Sequence, residues 1–177
     1  MKKTLLSVMM VLSLHISFAQ NAPQESSTFR KSDLLFDPFW LIGGLAFNAS
    51  YERILSEDSG LGVNAIFGFG DSLDDFTQIS PYYRAYFGSR YASGFYIEGF
   101  IPITVKKDYE WDIYGNESAS SVSRTTGGVG FGLGGKWVAK KKFVFDLNIG
   151  IGRKFIGNPA ADDEVTGKGM IGIGFCF

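Results

Sequence analysis

The feature that most constrains this chain is a strict two-residue alternation between large apolar residues and small or polar ones. From about Ser121 to Ala139, Arg124, Thr126, Gly128, Gly130, Gly132, Gly134 and Lys136 fall on one face, and Val129, Phe131, Leu133 and Trp137 on the other. Successive side chains of a β-strand point to opposite sides, so this spacing describes a strand with one greasy and one small or polar face. About Phe143 to Phe155 the pattern repeats, with Phe143, Phe145, Leu147, Ile149 and Ile151 against Asp146, Asn148, Gly150 and Gly152. Met170 to Phe177 sets Ile171, Ile173, Phe175 and Phe177 against Gly172, Gly174 and Cys176.

Earlier segments obey the same rule, and no stretch keeps an apolar helical period over several turns. Seven strands are expected over roughly 43–56, 60–70, 77–88, 94–107, 121–139, 142–156 and 168–177. Their connections alternate between short (56–59, 89–93, 140–141) and long (70–76, 108–120, 157–167). Short turns on one side and long loops on the other make the last strand descend toward the side of the short turns. A chain that starts on that side must climb once before residue 43. The segment Leu34 to Phe36, turning near Asp37-Pro38, is the candidate, and parity makes eight strands.

A soluble barrel would also alternate, with its apolar face inside. Here the other face is dominated by Gly, which weakens strands and packs nothing, so it suits a crowded interior better than a water-facing surface. An eight-stranded barrel is just wide enough for side chains to fill it. The expectation is an all-β, eight-stranded antiparallel up-and-down transmembrane β-barrel with an apolar lipid-facing exterior and a Gly-rich polar lumen. Closure removes the sheet edges that hydrocarbon does not tolerate. Trp137 and the tyrosines near strand ends are expected in interfacial girdles.

Three segments are expected. Residues 1–19 read as a signal peptide, with Lys2 and Lys3 before an apolar run and Ser17-Phe18-Ala19 as the cleavage site. Residues 20–33 read as a flexible leader, and residues 34–177 as the barrel domain. Removal of the signal moves the formal charge from −1 to −3, which with no basic stripe argues against nucleic acid. The only Cys is Cys176, so no disulfide framework is expected.

The closing residues Gly172-Ile173-Gly174-Phe175-Cys176-Phe177 resemble the C-terminal signal of outer-membrane barrels. Ile173, Phe175 and Phe177 form its apolar, assembly-directing positions. The chain over roughly 34–177 resembles the OmpA/OmpX-type small barrels. Through Asn48-Ala49-Ser50-Tyr51-Glu52-Arg53-Ile54-Leu55 it also resembles an uncharacterised family of small outer-membrane proteins. The resemblance implies a cell-outer-membrane location in a Gram-negative bacterium, contact with membrane lipid and lipopolysaccharide, and recognition by the barrel-assembly machinery during insertion.

Chemistry is sparse. The only His is His15, inside the signal, so a mature Ser-His or Asp-His mechanism is excluded, and no cofactor or His/Cys metal site is expected. Asp71, Asp74 and Asp75, and Asp162, Asp163 and Glu164, cluster in two loops. They read as solvated charges, or less readily as cation ligands without EF-hand spacing. Glu52, Glu98 and Asp146 with Arg84 and Lys136 fall on the lumenal face, where they would line a narrow polar path or pair and plug the barrel. Buried charge is costly unless paired, which favours the plug. The function expected is a non-enzymatic, monomeric interaction barrel that displays external loops to an unknown extracellular ligand, with a narrow pore or transporter as the alternative.

Overall fold

A computed structural model describes residues 31–43, 45–69, 75–111, 117–139, 142–157, 159 and 163–177. Nine strand segments occur in order: β1 (Ser32–Phe36), β2 (Ala46–Ile54), β3 (Ser59–Gly68), β4 (Phe76–Tyr86), β5 (Gly94–Phe100), β6 (Ile103–Trp111), β7 (Glu117–Ala139), β8 (Phe143–Ile156) and β9 (Val165–Cys176). One helical turn, α1 (Pro38–Ile42), separates β1 from β2.

All pairings are antiparallel. β1 joins β2 on one side and β9 on the other, and β3–β4 completes the ring, so the sheet is closed. β5 and β6 are two halves of one stave, because both pair with β4 and both with β7. The ladder lapses between them at Ile101-Pro102, opposite Ser80-Pro81, where Pro102 has no N–H to donate. Eight staves therefore enclose the lumen, and β1, the strand inferred from parity, is one of them.

The sides are inverted relative to a water-soluble barrel. Phe131, Leu133, Phe145, Leu147, Ile149, Ile151 and Ile171 are exposed on the outside, whereas Asn48, Glu52, Asn64, Gln78, Arg84, Glu98, Lys136 and Asp146 are buried within. An apolar band around a polar interior is the arrangement of a transmembrane barrel. Among the described residues no helix is long and apolar enough to cross a membrane.

Several boundaries differ from the sequence expectation. Ser32 and Asp33, read as leader, open β1. The strand expected from 43 starts at Ala46, because Asp37 accepts hydrogen bonds from the Phe39 and Trp40 amides and caps α1, with Pro38 in its first turn. The loop expected over 108–120 is largely strand, since β6 and β7 stay paired out to Trp111↔Glu117. That hairpin outruns its neighbours: β6 leaves β4 after Lys106 and β7 joins β8 only from Gly127. It extends as a two-stranded arm beyond the last described pairings of its neighbours.

Candidate functional site: a charged plug in the lumen

Inward-facing glycines make the space that the large lumenal side chains fill. A methyl group at Gly60 would strike the Glu52 carboxylate, and one at Gly62 the Tyr82 ring. A methyl at Gly130 would meet the Phe100 ring with all three of its nearest atoms, and one at Gly134 would lie 2.5 Å from the Leu147 carbonyl oxygen and 2.6 Å from the Tyr96 ring. The glycine face of β7 is thus the counter-surface of two aromatic rings on β5.

Into this space seven of the eight staves, all but β3, send a charge. Arg84 of β4 sits at the centre. Its Nη1 donates to Glu52 Oε2 and to Asp146 Oδ2, each at 2.9 Å, and its Nε donates to Glu98 Oε2 at 2.8 Å. The guanidinium lies between the rings of Tyr82 and Tyr96, 4.5 and 4.2 Å from their centroids. Toward the end that carries the short turns, Lys136 Nζ donates to Glu52 Oε2 at 2.6 Å and to Asp33 Oδ2 at 2.9 Å. Toward the other end, Lys168 Nζ donates to Glu98 Oε1, 4.2 Å from the Tyr82 centroid. Tyr86 and Tyr96 donate their hydroxyls to Glu52 and Asp146.

The five charges placed on the lumenal face by alternation, Glu52, Arg84, Glu98, Lys136 and Asp146, therefore meet in one network. Asp33 and Lys168 were missed. Asp33 lay in the segment read as leader. Lys168 shares the parity of Met170 and Gly172 and was legible by extending that strand's alternation. Tyr82 and Tyr86, which alternation puts on the side of Arg84, and Tyr96, on the side of Glu98, are buried in the plug, where their hydroxyls and ring faces complete it. Each ionised group here is held by opposite charge at hydrogen-bond distance, so the arrangement neutralises and cross-links rather than presenting a free acid or base.

The loop carboxylates do not converge. Asp75 pairs with Lys107 at 2.6 Å, Asp163 with the buried Lys154 at 2.7 Å and Glu164 with Arg153 at 3.0 Å. Asp71, Asp74 and Asp162 lie outside the described residues. No group of three metal-ligating side chains occurs among the described residues. Ile173, Phe175 and Phe177 are on the outward face of the last stave, with the Phe175 and Phe143 rings 5.1 Å apart.

No protein-family description matches the sequence, and no curated protein matches it. The structure is similar to the crystal structure of the N-terminal β-barrel domain of Pseudomonas aeruginosa OprF, with a TM-score of 0.55 and 13% identity over 84% of this chain and 98% of that one. The likeness extends to the fold: this chain is a closed eight-stranded barrel of the small outer-membrane type.

Proposed function

We propose that this protein is a non-enzymatic outer-membrane barrel, sealed along its axis by the ion-pair plug, whose role is to hold its rim segments at the cell surface for recognition. The observation that carries this reading is Arg84, which ties Glu52, Glu98 and Asp146 of three other staves to β4 inside the lumen. A cross-braced barrel is a rigid base, and loops on a rigid base are where recognition commonly resides. Among the described residues the β6–β7 arm, paired out to Trp111↔Glu117, is the longest extension on the long-loop side. In this reading the chain is a monomer, exported by residues 1–19. The assembly machinery inserts it through its last strand, and it lies among membrane lipid and lipopolysaccharide, with a surface ligand as its partner.

Single-channel recording in planar bilayers tests the seal. Purified protein is expected to give no steady openings. Steady openings of uniform size would overturn the plug and favour the narrow-pore alternative.

A further inference from the structure

The ring of staves closes on a short ladder. β1 pairs with β9 only from Asp33↔Cys176 to Phe36↔Ile173. Beyond Phe36 no strand joins β2 to β9, and α1 packs across this breach against both, with the Asn48 Nδ2 to Gly169 O hydrogen bond behind it. The laddered half of the seam therefore lies at the end of the barrel that carries the short turns.

Positive charge gathers at that end. Backbone hydrogen bonds run in one row across four staves: Cys176 N donates to Lys142 O, Lys31 N to Phe177 O and Ile54 N to Lys31 O. Arg53 stands in the same row, opposite Ser32. With neighbouring staves about 4.8 Å apart, Lys142, Lys31 and Arg53 share about 15 Å of rim. All three are exposed, and none forms an ion pair among the described residues. Arg53 Nη1 donates to Ser32 Oγ at 3.3 Å, and that oxygen is 3.0 Å from the Tyr51 hydroxyl, so the guanidinium is oriented without being neutralised. Counting a carboxylate at Phe177 still leaves the row net positive. Glu57 and Asp58 lie off the row, toward β4 and β5, where their backbone carbonyls accept from Ala92 and Tyr86.

The two ends of the barrel differ in this respect. At the other end Lys107, Lys154 and Arg153 hold Asp75, Asp163 and Glu164, so those cations carry their own counter-charge. Beside the unpaired row the outer wall is apolar: Phe143 and Phe175 are exposed with their rings 5.1 Å apart, and Leu34 is exposed on the next stave.

We infer that this rim is a docking surface for an anionic phospholipid, whose phosphate is held by Arg53, Lys31 and Lys142 and whose acyl chains lie on Phe143, Phe175 and Leu34. Charge selects the lipid. A zwitterionic headgroup brings its own cation, whereas an anionic one supplies the counter-charge that the row lacks. Held across β8, β9, β1 and β2, the lipid spans the closing seam, so its binding adds to the stability of closure. In an outer membrane the short turns face the periplasm, which puts this surface in the inner leaflet.

The inference rests on the membrane location proposed above, and one experiment separates the two. The full chain is refolded in a neutral detergent, checked by heat-modifiable gel migration and titrated with equal amounts of phosphatidylglycerol and phosphatidylcholine. Native mass spectrometry counts the lipid retained per chain. One phosphatidylglycerol is expected, preferred about tenfold over phosphatidylcholine and kept against excess inorganic phosphate. Arg53→Gln is expected to weaken retention by about fivefold, and the triple variant Lys31→Gln/Arg53→Gln/Lys142→Gln to abolish the preference. Lys106→Gln, which removes one exposed charge near the other rim, is expected to leave retention unchanged. A chain that stays folded and monomeric after detergent is removed overturns the membrane reading. A detergent-dependent chain that retains both lipids alike, loses phosphatidylglycerol to inorganic phosphate, or responds equally to Arg53→Gln and Lys106→Gln overturns this site alone.

Discussion

Arg84 and Asp146, 62 positions apart in sequence, face each other inside the barrel with Nη1 2.9 Å from Oδ2. The contact links β4 to β8, staves that are not neighbours in the sheet, so it acts as an internal strut that no backbone pairing supplies.

Arg84→Met is therefore expected to leave Glu52, Glu98 and Asp146 short of their shared cation and to destabilise the barrel by about 3–5 kcal/mol, the usual cost of orphaning a buried charge. Arg84→Met/Glu98→Gln is expected to recover part of that loss. Urea unfolding in lipid vesicles, followed by heat-modifiable migration, measures both; an unchanged midpoint for the single variant refutes the strut.

The apposition of Gly130 and the Phe100 ring makes a packing prediction. Gly130→Ala is expected to cost about 1–3 kcal/mol by overpacking. Phe100→Leu in the same chain should relieve it, because the atoms a Cβ meets all belong to that ring. A double-mutant cycle without coupling between the two positions would dismiss the pairing of glycine face and aromatic ring.

Ile149 lies midway along β8 and is 68% exposed. On a protein surrounded by water, Ile149→Arg would be close to neutral. In a bilayer it is expected to cost about 2–4 kcal/mol. The same unfolding measurement in vesicles distinguishes these outcomes.

Asp37 caps α1 and also holds the Ile171 amide across the breach. Asp37→Ala is expected to lose about 0.5–2 kcal/mol from the cap and to loosen α1 locally. Hydrogen exchange of the Phe39, Trp40 and Ile171 amides should quicken while that of β7 and β8 stays unchanged; uniform behaviour across these groups would contradict a local role.

Alternation by itself determined the class of fold and the sidedness of the wall, because a strand's side chains must alternate and a polar, glycine-rich face has no use against lipid, and the parity of short and long connections added the eighth strand. It also placed Glu52, Arg84, Glu98, Lys136 and Asp146 on one face. Period and parity are local properties, so they carry no information about height in the barrel or about partners across it. Only closure, which sets the stagger of eight staves, decided that Arg84 meets Asp146 and Glu52, that Lys136 reaches Asp33, and that the Tyr86 and Tyr96 hydroxyls bond to Glu52 and Asp146. Closure also exposed the shortness of β1. A five-residue strand reads as a weak signal in sequence, and its consequence, a wall completed by α1 and the Asn48–Gly169 bridge, exists only once β9 has come round to meet it.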